Sequence, residues 1–121
     1  MIKFKSLNQN KEFLRILKNK RMSNKYFTIY FSRNAGDSNK YLNISFVTKK
    51  KIGNAVERNK IKRKLKSAVQ KNLDNKRLID LNYTYVIFGK NNVYKDKFKL
   101  ILDEVSKTFK KINQMDSYTW K

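Results

Sequence analysis

The chain contains no cysteine, no histidine and no proline, and only nine of its 121 residues are acidic. Without cysteine there is no disulfide framework. Without cysteine and histidine there is no thiolate or imidazole zinc site, and no Ser–His or Cys–His nucleophile pair. An apolar run of signal-peptide or membrane-spanning length is also lacking, so a soluble cytoplasmic protein with no membrane partner is expected. There is no internal repeat and no low-complexity segment. The few carboxylates do not converge: none forms a D-x-D or E-x-x-E pair near the most basic stretch, and the adjacent Asp103 and Glu104 splay around a helix. Hydrolysis by a protein needs an acid–base pair or carboxylates that hold a metal. The sequence therefore offers no catalytic residue and no metal ligand.

What is present is positive charge. Thirty Lys and Arg give a net charge of +21 and a pI near 10.3, a self-repulsion best tolerated when a polyanion neutralises it. A hydrophobic fraction of 40%, with eight Phe and seven Tyr, supplies one modest core, so residues 1–112 read as a single domain. Residues 113–121 show no usable pattern and read as a flexible C-terminal tail.

The charge concentrates in residues 49–66, where nine of eighteen residues are Lys or Arg and only Glu57 is acidic. Gly53 permits a tight turn or a positive φ. Asn54 suits a helix N-cap, and Glu57, three residues on, completes a capping box. The helix so started is expected from about Ala55 to about Leu73. Ile61, Leu65, Ala68 and Val69 form its apolar stripe. At 100° per residue, Arg58, Asn59, Lys62, Arg63 and Lys66 fall on an arc beside that stripe. Their side chains suit phosphate oxygens, and one carboxylate is too few to neutralise them by i,i+4 pairing. Lys64 points away from the arc, with no contact expected.

Around this helix the chain alternates elements. Asn8 or Asn10 can cap a first helix running to about Lys20, with Phe13, Leu14, Ile16 and Leu17 on its apolar face. Residues 21–25 read as a linker. Residues 26–31 and 41–48 alternate as strands, each with one apolar and one wettable face. In the first, Tyr26, Thr28 and Tyr30 make the wettable face, a surface suited to stacking bases. Residues 32–40 form a loop, residues 83–88 a buried strand, and residues 89–92 a turn. A last helix is expected over 95–112, its core face formed by Phe98, Ile101, Leu102, Val105 and Phe109. This order gives an α+β domain with helices packed on one sheet.

The run KKIGNAVERNKIKRKLK resembles the basic-helix motif of the bacterial ribonuclease P protein subunit, with Arg58, Asn59 and Lys60 at the place of its Arg-Asn-Arg core. Length, charge and motif position extend the resemblance over most of residues 5–112. It implies an α-β-β-β-α-β-α order on a mixed central sheet, with an unusual left-handed βαβ crossover. It also implies an RNA-catalysed, Mg²⁺-dependent removal of the 5′ leader from precursor tRNA, the Mg²⁺ being held mainly by the RNA. The implied partners are the catalytic RNA and precursor tRNA, without an obligate protein partner. Carried over by position, the RNA-facing residues are Asn54, Arg58, Asn59, Lys60, Lys62, Arg63 and Lys66. Phe13, Leu17, Tyr30 and Lys90 line the leader cleft. Lys60 keeps the charge of the second motif Arg but not its forked geometry, and Leu17 stands where the family often has an aromatic residue. Two other readings are a structural RNA-binding protein, such as a small ribosomal protein, which shares the charge, size and lack of catalytic residues, and a self-sufficient ribonuclease, which no converging acid–base pair supports. Preference for precursor over mature tRNA separates the first from the leading reading. Cleavage by RNA-free protein would support the second.

Overall fold

Side-chain alternation divides a sheet into two faces, and here different helices cover the two. The computed structural model describes residues 3–7, 10–33, 41–76 and 79–119. In chain order the elements are β1 (Lys3–Lys5), α1 (Asn10–Leu17), β2 (Lys20–Ser23), β3 (Phe27–Arg33) and β4 (Tyr41–Val47). A 3₁₀ turn (Lys50–Ile52) then leads to α2 (Ala55–Lys76), β5 (Tyr83–Gly89), α3 (Asn92–Lys95) and α4 (Phe98–Thr119). With the short β1 and the one-turn α3 set aside, this is the expected α-β-β-β-α-β-α order.

The sheet is mixed, in the order β1-β4-β5-β3-β2. Strand β4 runs parallel to both β1 and β5, whereas β3 is antiparallel to β5 and β2. Helix α2 therefore crosses over between two parallel strands that are direct neighbours. On one face Phe27, Ile29, Phe31, Leu42, Ile44, Tyr85 and Ile87 pack with Ile61, Leu65 and Val69 of α2 and with Ile101, Val105 and Phe109 of α4. The expected α2 stripe is fully buried, and each large aliphatic side chain there contributes about 1.5–3 kcal/mol. The Tyr85 ring meets Phe109 edge-on at 5.1 Å. On the opposite face α1 lies across β3 and β5, with Ile16 fully buried and Arg15 Nη1 donating to Ser32 Oγ at 3.0 Å.

Several boundaries differ from expectation. Helix α1 stops at Leu17 rather than Lys20, its end closed by tighter bonds from Lys18 N to Arg15 O and from Asn19 N to Ile16 O. The expected linker is strand β2, whose only apolar residue, Met22, packs against the core edge. It turns into β3 at Asn24, whose Oδ1 accepts from Tyr26 N at 2.8 Å and Phe27 N at 3.0 Å. Helix α2 runs on to Lys76. A one-turn α3 follows the expected 89–92 turn, the expected last helix begins at Phe98 rather than Lys95, and α4 continues to Thr119 through the stretch expected as a tail. Most of the expected 32–40 loop, and Trp120, lie outside the described residues.

Candidate nucleic-acid interface

The start of α2 is fixed by the capping box its spacing predicts. Asn54 Oδ1 accepts from Glu57 N at 2.9 Å, and Glu57 Oε1 accepts from Asn54 N at 3.3 Å. Gly53 has φ 166°, so it is extended and not in the left-handed region. A Cβ there would stand 3.0 Å from Glu57 Oε1 and 3.1 Å from its carboxyl carbon, so a side chain at 53 would crowd the capping carboxylate. Glu57, the lone acid of the basic stretch, is thus held by the helix end.

The cations of α2 divide between two flanks. On one, Asn59, Lys62 and Arg63 join the exposed Val56 around a shallow groove of about 440 Å³. Lys66 lies further along this flank, its ammonium 5.8 Å from the Phe4 ring centroid, and Phe4 itself stacks on Phe46 at 6.3 Å. Asn54, Asn59, Arg63 and Lys66 are exposed, while Arg58 and Lys62 are half-buried. Arg58 sits nearest the core side, and its buried Nε has no hydrogen-bond partner.

The other flank is turned inward on the protein. Lys64 Nζ donates to the carbonyls of Val93 at 2.9 Å and Asp96 at 3.0 Å, where α3 ends. A cation there satisfies carbonyls that the one-turn helix leaves open. The expectation that Lys64 contacts nothing is therefore wrong. Lys60 lies on this flank too, 5.0 Å above the Tyr94 ring, and Lys71 stands 5.6 Å from the Phe98 ring. Lys60 is thus separated from the Asn59–Lys62–Arg63 groove, although it is exposed and remains charged at the helix surface.

On the α1 face of the sheet, three half-buried rings gather at one end of the helix. Phe88 packs edge-on against Phe13 at 6.4 Å and against Tyr30 at 5.6 Å. Leu17 lies half-buried one turn beyond Phe13 on the same helix. Phe88 is the residue sequence reading missed, because it sits in a continuous apolar run with no alternation to show its face. Its register opposite Thr28 puts it on the wettable side with Tyr30. Lys90 reaches the same side, but its Nζ donates to Ser23 Oγ at 2.8 Å and to Asn24 O at 2.6 Å. It holds the β2–β3 turn at the end of the cleft.

Several of the described acids serve local structure. Asp96 accepts from Tyr26 OH at 2.6 Å and pairs with Lys25 at 3.3 Å. The phenol's hydrogen bond, then the Lys25 ammonium, hold the Asp96 carboxyl below its ordinary value. That same hydrogen bond, with burial, pushes the Tyr26 phenol up to about 12. Asp80 accepts from Asn82 N and Asp74 from Gln70. Among the described residues no group of three Asp, Glu, His or Cys side chains converges. Nor is any described helix long and apolar enough to cross a membrane.

Fold and site together define a small α+β protein that presents one free basic helix flank and, on the opposite face of its sheet, an aromatic cleft. A family model described as Ribonuclease P matches residues 1–113. The chain is 35% identical over 109 residues to the ribonuclease P protein component of Carboxydothermus hydrogenoformans, covering 87% of this chain and 88% of that one. It is 33% identical over 104 residues to that of Mesoplasma florum, covering 85% and 90%. The RNase P protein from Thermotoga maritima superposes with a TM-score of 0.72 at 26% identity, over 88% of this chain and 96% of that one. The Staphylococcus aureus RNase P protein has the same fold, with a TM-score of 0.61. The chain belongs to the family of bacterial ribonuclease P protein components.

Proposed function

We propose that this protein binds the catalytic RNA of ribonuclease P through the free flank of α2 and holds the single-stranded 5′ leader of precursor tRNA in the α1 cleft. The observation that carries this reading is the division of the α2 cations. Those not fastened to α3 and α4 share one flank with Asn59 and a shallow groove, and Glu57, the one acid of the basic stretch, is held in the helix cap. Such a flank neutralises phosphates of a structured RNA, with affinity that falls as salt rises. Arg58, half-buried at the core edge of the helix, can present the exposed part of its guanidinium to a phosphate or base that reaches the groove rim.

The cleft suits unstacked nucleotides. Phe13, Tyr30 and Phe88 offer ring surface with little sequence demand, and Leu17 extends the apolar wall. Holding leader and catalytic RNA together makes the complex bind precursor more tightly than mature tRNA. Hydrolysis and the Mg²⁺ it requires belong to the RNA in this reading. The protein acts by binding, orientation and charge neutralisation.

The test is cleavage of a precursor tRNA at low Mg²⁺ by a bacterial ribonuclease P RNA, with and without this protein. RNA-dependent 5′ processing that the protein stimulates supports the reading. Tight RNA binding without stimulation would point to a structural RNA-binding role.

A further inference from the structure

We infer that Arg21 is the phosphate contact of the aromatic cleft. Its guanidinium takes a backbone phosphate of the leader nucleotide whose base lies on Tyr30. This inference rests on the leader-cleft reading and adds a residue and a chemistry to it.

The register carries the argument. Strand β2 pairs antiparallel with β3 so that Arg21 stands opposite Tyr30, and Ser23 opposite Thr28. Directly opposed residues share a face, with Cβ atoms roughly 4.5–5.5 Å apart. Arg21 therefore rises beside the Tyr30 ring, on the same side as Phe88. It is exposed, and among the described residues neither its guanidinium nor the Tyr30 hydroxyl has a hydrogen-bond or ionic partner. A free guanidinium next to a half-buried ring pairs the two elements of single-strand binding, a cation for the backbone and a π-face for the base.

Lys90 cannot fill that place as readily. Two of its three donors are committed to Ser23 Oγ and Asn24 O. Those bonds fix the end of β2 just beyond Arg21, and a hydrogen bond between Ser23 Oγ and Thr28 Oγ1 at 3.0 Å adds to the same anchor. Lys90 is then a positioning residue, which keeps Arg21 across from Tyr30.

The experiment uses the protein assembled with a bacterial ribonuclease P RNA, and measures Kd for a precursor tRNA with a leader of several nucleotides and for mature tRNA over a range of salt. Arg21→Ala should lower precursor affinity roughly threefold to tenfold, leave mature tRNA binding as in the wild type, and flatten the precursor salt slope by about 0.7. Arg21→Lys should keep the slope and recover part of the affinity. A leader carrying one neutral methylphosphonate linkage should, at a single position, erase the advantage of wild type over Arg21→Ala. An Arg21→Ala protein with full precursor preference overturns the inference, as does an equal loss for precursor and mature tRNA. A wild-type complex with no precursor preference overturns the leader-cleft reading itself, and this inference with it.

Discussion

A Cβ on Gly89 would stand 2.5 Å from Cγ2 of Ile61 and 3.0 Å from Cδ1 of Leu65. At the last residue of β5, α2 thus packs directly against the backbone of the sheet. No side chain fits without moving the helix, because both clashing atoms belong to fully buried residues. Gly89→Ala should therefore cost about 1–3 kcal/mol by overpacking. Chemical denaturation would register this as a lower midpoint with an unchanged slope. RNA affinity should fall in the same variant as α2 is displaced. An unchanged midpoint would mean that α2 has room to move.

The cap of α2 makes a second, independent test. Asn54→Ala removes the acceptor of Glu57 N and should cost about 1 kcal/mol. Gly53→Ala should also destabilise, because its methyl group crowds the Glu57 carboxylate. Since both act on one box, the double variant should lose less than the sum of the two. Strict additivity in a double-mutant cycle would show that Gly53 acts for another reason.

How much of this could be read in advance depends on whether a signal is local. The Asn54–Glu57 spacing and the Ile61–Val69 stripe are both local to one helix and its cap, and the structure keeps both. Strand β2 was hidden because only Met22 is apolar, and its strand state comes from pairing with β3. Phe88 was hidden by a continuous apolar run, whose two faces separate only once the Thr28 register is known. The helical wheel correctly turned Lys64 away from the arc. It could not supply the Val93 carbonyl, which arrives from 29 residues along the chain.

The Tyr26–Asp96 pair predicts a defined pH window. The Asp96 pKa is lowered in the fold, so its contribution is full above the ordinary carboxylate range and is lost as pH falls through the lowered value. The Tyr26 pKa is raised to about 12 from 10.0, so the neutral phenol contributes fully below 10 and loses that contribution as pH climbs towards 12. Wild type should therefore melt above Tyr26→Phe between these limits, and the two curves should converge at either end. A gap in Tm that stays constant from acid to alkali would remove Asp96 as the partner that matters.

The two flanks of α2 predict opposite phenotypes for neighbouring residues. Arg63 lines the free groove, whereas Lys64 is spent on the carbonyls at the end of α3. Arg63→Ala should weaken binding to the catalytic RNA and reduce the salt slope by up to about 0.9, with little change in stability. Lys64→Ala should lower the melting temperature, because it leaves the α3 carbonyls without their cation, and should change the salt slope less than Arg63→Ala does. Both variants remove one positive charge, so net charge cannot produce the difference. Equal slopes in the two proteins would mean that RNA senses the overall charge of α2 and not the flank on which each cation stands.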